Sequence, residues 1–124
     1  MALADLLTLP HFIIMLVGFI HLTISILLVV LHRPKKWYSL HVIFAANGVE
    51  LVIIGLIILS GLILDIPHGI IGLIVIIFFI GELFSGIIAT KRKEKNIRLI
   101  HIWVSRVIYI VALITIILGI LNFI

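Results

Sequence analysis

Cysteine is missing from this chain. That excludes disulfides, thiolate metal sites and any cofactor attached through a thioether, and it leaves the redox compartment open. Charge is scarce as well: only 11% of residues are Asp, Glu, Lys or Arg, against ~25% in soluble domains. A soluble domain of 124 residues cannot hide a composition that is 65% hydrophobic, so the chain reads as an integral membrane protein. Strand-like alternation of polar and apolar residues is absent too, which excludes a membrane barrel. Residues 1–11 carry no basic cluster ahead of an apolar stretch, so no cleavable signal peptide is expected.

What fills the chain instead is four apolar runs of about 20 residues or more, each long enough for a helix across a ~30 Å hydrocarbon core. Helices are expected over roughly 10–32, 40–64, 68–90 and 97–123. Pro10 suits a helical first turn, with Thr8 or Leu9 as cap, and Arg33-Pro34-Lys35-Lys36 closes the first helix. Trp37 and Tyr38 suit the headgroup belt, Ser39 is placed to cap the second helix, and Asp65-Ile66-Pro67 makes a tight turn before the third. Short connections force antiparallel neighbours, so the expected fold is all-α: an integral membrane four-helix up-down bundle, one domain over residues 1–124.

The formal charge of +4 matters less than where it lies. Eight of the nine Lys and Arg residues sit in or within two residues of the first and third connections, while the opposite face shows only Asp5 and Asp65. The positive-inside rule then turns the basic loops to the cytoplasm and both termini outward. Topology accounts for this basicity without nucleic acid.

Each helix carries one histidine near an end: His11 and His68 toward the outer face, His41 and His101 toward the cytoplasmic face. Taken singly, each is equally a helix-end histidine reaching for the interface. As a set they lie at matched depths on helices diagonal in an up-down bundle, the arrangement that ligates a haem iron from both sides, His11 with His68 and His41 with His101. Counting ~1.5 Å per residue, two such irons stand roughly 20–25 Å apart along the membrane normal. Gly18 stands seven residues after His11, Gly48 and Gly55 seven and fourteen after His41, Gly72 four after His68 and Ser105 four after His101. Small residues on the histidine faces are expected to clear a slot for a macrocycle, the competing account being close helix packing in lipid. His21, turned ~80° from the face of His11, reads as an interior hydrogen bonder, a haem neighbour or a substitute ligand for His11. His32 reads as a solvated end residue.

These residues resemble the cytochrome b561 family over about Pro10–Leu121. The resemblance lies in His11-Phe12-Ile13-Ile14-Met15, the closing Arg33, Lys36-Trp37-Tyr38-Ser39-Leu40-His41-Val42, His68-Gly69-Ile70-Ile71-Gly72, and His101-Ile102-Trp103-Val104-Ser105-Arg106 with Gly119 beyond. Phe12 stands where proline is frequent in that family and Ser105 where glycine is frequent, and the helices that flank the core in six-helix members are missing. The resemblance implies two non-covalent b-type haems on the same histidine pairs. It also implies transmembrane electron transfer from a cytoplasmic reductant or quinol, ascorbate in eukaryotic members, and a tendency to dimerise. Two rival classes stay open: a haem-bearing membrane-anchor subunit of a larger quinone-linked oxidoreductase, and a haem-free proton or metal transporter.

Glu50 and Arg106 lie at matched depths and read as an ion pair or a proton path, whereas Asn47 reads as a packing hydrogen bonder. Glu82, fourteen residues after His68, reads either as tuning the cytoplasmic haem or as a hydrated helix-end carboxylate. Lys35, Lys36, Lys95 and Arg98 flank the cytoplasmic ligands, where they attract an anionic reductant, haem propionates or lipid phosphate.

Overall fold

The computed structural model describes residues 9–59 and 65–122. They form four helices: α1 (Pro10–Leu31), α2 (Trp37–Ile58), α3 (Pro67–Arg92) and α4 (Lys95–Leu121), with no strand among the described residues. All four are long and apolar enough to cross a membrane, as a multi-pass membrane protein requires. At ~1.5 Å per residue, even the 22-residue helices reach ~33 Å.

Local chemistry explains the ends. Pro10 and Pro67 each occupy a helical first turn, where a missing N–H removes a donor that has no partner there anyway. Leu9 and Ile66 are the extended residues before them. At the other ends of α1 and α3, His32 (φ 52°) and Lys93 (φ 54°) turn left-handed, returning their N–H to Leu28 at 3.0 Å and to Ala89 at 3.2 Å. Neither residue is glycine, so both accept a backbone conformation that side chains rarely favour, and the chain leaves the helix there.

The second helix starts earlier than the capping pattern predicts. Trp37 donates its N–H to the Pro34 carbonyl at 2.8 Å, so the turn at Pro34 runs directly into α2 and Ser39 lies inside the first turn rather than capping it. Likewise α4 starts at Lys95 and α3 ends at Arg92, each two residues beyond its expected bound. Lys91 and Arg92 in the last turn of α3 meet the negative end of its dipole. The helix expected as far as Leu64 has its last described turn at Ile58. The expected stretch 60–64, the lead-in 1–8 with Thr8 and Asp5, and the expected end at Phe123 lie outside the described residues.

The chain divides into two compact units, a hairpin of α1 with α2 and a hairpin of α3 with α4. In the first, Gly18, Leu22 and Ser25 bury against Gly48, Val49, Val52 and Gly55. In the second, Val75, Ile76 and Phe79 bury against Ile108, Ala112 and Thr115. Outward-facing Ile, Leu, Val and Phe side chains, such as Ile57, Val30, Phe84 and Ile110, stay exposed and suit lipid as the solvent.

Candidate functional site

Each hairpin ties its two helices together through its own histidines. The Nδ1 of His11 lies 2.8 Å from the Gly55 carbonyl, and that of His68 lies 2.8 Å from the Thr115 carbonyl. A carbonyl only accepts, so both nitrogens carry the hydrogen.

At the opposite end of the first hairpin, Ser25 is 2% exposed and donates its hydroxyl to the His41 carbonyl at 3.1 Å. With that hydrogen used, Ser25 Oγ accepts from His41 Nδ1 at 2.7 Å, and the Ser25 carbonyl lies 3.1 Å from the same nitrogen. The second hairpin repeats the logic with a carboxylate added. Ser85 donates to the Glu82 carbonyl at 3.0 Å, so His101 Nδ1–H is shared between Ser85 Oγ at 2.7 Å and Glu82 Oε2 at 2.9 Å. Ser105 donates its hydroxyl to that same carboxylate oxygen.

All four imidazoles are thereby fixed as the Nδ1–H tautomer, and Nε2 is the nitrogen that carries the lone pair. Among the described residues nothing hydrogen-bonds to Nε2 of His11, His68 or His101. An imidazole held by Nδ1 on a carbonyl, hydroxyl or carboxylate, with Nε2 basic, is what a metal-ligating histidine needs.

The two hairpins also share one spacing. His11 sits at the level of Gly55, fourteen residues after His41; His68 sits at the level of Thr115, fourteen after His101. In both, then, ~21 Å separates the two imidazole levels. The sequence carries the signal for this repeat in Pro10-His11-Phe12-Ile13-Ile14 and Pro67-His68-Gly69-Ile70-Ile71. Ser25 follows His11 by fourteen residues, as Glu82 follows His68. Reading the histidines as a set of four by depth missed the repeat and the anchoring roles of Ser25, Ser85 and Thr115.

The small residues expected to clear a slot serve helix approach within each hairpin. A Cβ on Gly48 would stand 2.8 Å from the Leu22 side chain, and one on Gly18 would stand 3.0 Å from Val52. Gly55 faces Met15, with Sδ 2.8 Å from where a Cβ would lie, and Gly72 faces the Thr115 methyl at 3.6 Å. Ser105 is engaged by Glu82. Two further glycines lie beneath imidazoles: a Cβ on Gly119 would stand 2.7 Å from His68 Cε1, and one on Gly86 would stand 3.2 Å from His101 Cε1.

His21 donates Nδ1–H to the Val17 carbonyl at 2.8 Å and tilts against Phe44, with ring centres 5.4 Å apart. His32 is exposed and meets the Trp37 ring edge-on at 4.7 Å. Arg106 lies 5.2 Å over the Trp103 ring, and Glu50 is exposed. No family model, no curated protein and no solved structure matches the chain.

Proposed function

We propose that the chain is a di-haem b transmembrane electron carrier of the cytochrome b561 type, with His11 and His68 holding one haem and His41 and His101 the other. The observation that carries this reading is the anchoring of all four imidazoles through Nδ1, at two levels equally spaced in both hairpins. Within one hairpin the two imidazoles stand too far apart, at ~21 Å, to share an iron.

Bound haem would supply one-electron chemistry; the chain's residues do the rest. Nδ1 acceptors hold each ring in one tautomer and orientation. Apolar helix surfaces keep water from the sites, and no cysteine is needed because attachment is non-covalent. The resemblance over Pro10–Leu121 supports the same histidine pairs. The basic residues around Arg33–Lys36 and Lys91–Arg98 turn those loops to the cytoplasm and draw in a small anionic reductant or a quinol, with both termini outside and the protein associating as a dimer.

Vesicles loaded with ascorbate and carrying the purified protein test this reading. With ferricyanide outside, the expected result is reduction of ferricyanide at a rate that depends on the protein and collapses in His41→Ala. A rate equal to that of protein-free vesicles, from protein carrying both haems, would overturn transmembrane transfer and favour an anchor subunit that hands electrons to a partner.

A further inference from the structure

The four anchors are chemically unequal. His11 and His68 rest on neutral carbonyls, and His41 rests on a neutral hydroxyl and a carbonyl. Among the described contacts a carboxylate meets His101, with Glu82 Oε2 2.9 Å from its Nδ1. Glu82 occupies the register that Ser25 holds in the first hairpin, fourteen residues after the leading histidine. It is 13% exposed and its oxygen is further engaged by Ser105, so its orientation toward His101 is held from two sides.

A carboxylate pulls on the Nδ1 hydrogen more strongly than a neutral acceptor does. The ring then carries partial imidazolate character, Nε2 becomes a stronger donor, and a metal bound there is stabilised in its more oxidised form. Resting on the di-haem reading above, we propose that Glu82 is a positioning residue that makes the haem on His41 and His101 the harder of the two to reduce. Glu82 thereby sets the order of potentials along the chain. Electrons entering at the His101 level pass downhill to the His11 and His68 level, and the reverse direction is uphill.

The contacts of Ser105 add a second, opposite handle. Its hydroxyl competes with His101 for one Glu82 oxygen. Removing that hydroxyl leaves the carboxylate a stronger acceptor for Nδ1–H, whereas removing the charge of Glu82 leaves a weaker one.

Potentiometric titration of both haems in the purified full chain tests this. In Glu82→Gln the lower-potential haem is expected to become easier to reduce by about tenfold in its reduction equilibrium, ~59 mV for one electron, with the other haem unchanged. In Ser105→Ala the same haem is expected to move the opposite way. The low-spin ferric EPR signal of that haem should persist in both variants, its largest g value rising in Glu82→Gln and falling in Ser105→Ala. If Glu82→Gln fails to hold haem, the Ser105→Ala shift decides alone. Two haems present with no shift, with shifts of one sign in both variants, or with the other haem moving, would overturn this role for Glu82 and leave the di-haem reading standing. Wild-type protein that holds no haem would overturn both.

Discussion

Gly18 and Gly48 bring α1 and α2 together backbone against backbone: a Cβ on either glycine would lie 3.0 Å from the carbonyl oxygen of the other. In the second hairpin the repeat-equivalent residues are Val75 and Ile108, both buried, so there side chains rather than backbones fill the crossing. Lipid tails are as apolar as leucine, so helices in a membrane gain from such close packing rather than from escape from water.

Gly48→Leu should therefore split the first hairpin. The added side chain meets Leu22 and the Gly18 carbonyl, and an overpacked crossing of this kind costs ~1–3 kcal/mol. Unfolding of the detergent-solubilised protein followed by circular dichroism would read the loss. Gly81→Ala, where nothing lies within 4 Å of the new Cβ, should stay within ~0.5 kcal/mol of wild type.

Ser25→Ala removes the nearer of two acceptors of His41 Nδ1, leaving the Ser25 carbonyl, and removes the donor to the His41 carbonyl from a site that is 2% exposed. A cost of ~1–2 kcal/mol is expected in the same unfolding measurement. Ser25→Thr keeps the hydroxyl and should recover most of it.

Gly119→Ala tests the seat of His68. Its Cβ would stand 2.7 Å from His68 Cε1 and 2.9 Å from Nδ1, so the ring, held by its hydrogen bond to Thr115, or the helix carrying Gly119 must shift. We expect one haem per chain to be lost in this variant, measured as pyridine haemochrome, with Gly81→Ala unchanged.

Histidine substitutions should be non-additive in a pattern set by the two levels. His11→Ala, His68→Ala and the double variant should each retain one haem, whereas His11→Ala combined with His41→Ala should retain none. Equal losses in both double variants would contradict pairing by level.

The helices were legible because apolar runs of membrane length leave few alternatives; Pro10 marks the start of α1, while Pro67, read as part of the preceding turn, is the first residue of α3. Ser39 misled because a capping pattern carries no information about the turn before it, and the bond from Trp37 to Pro34 begins the helix first. The glycines were ambiguous for a geometric reason. Seven residues is close to two helical turns, so Gly18 and Gly48 share a face with His11 and His41 whether that face meets a cofactor or a neighbouring helix. In the hairpin it meets the neighbouring helix. Ser25 and Ser85 had no local mark at all; only the fourteen-residue register, counted in both halves, places Ser25 and Glu82 opposite the second histidine. Glu82 was legible as a carboxylate near that level, though its grip on Nδ1 of His101 was not.

The measurement that bears most directly on this account is the haem content of the wild-type chain. The protein would be made with added haem, purified in mild detergent, and assayed by haemochrome against amino-acid analysis. The account predicts two b-type haems per chain with a low-spin reduced-minus-oxidised spectrum. Protein that is folded and helical yet shows no Soret absorption would contradict it, leaving the histidines as ties between the helices of each hairpin.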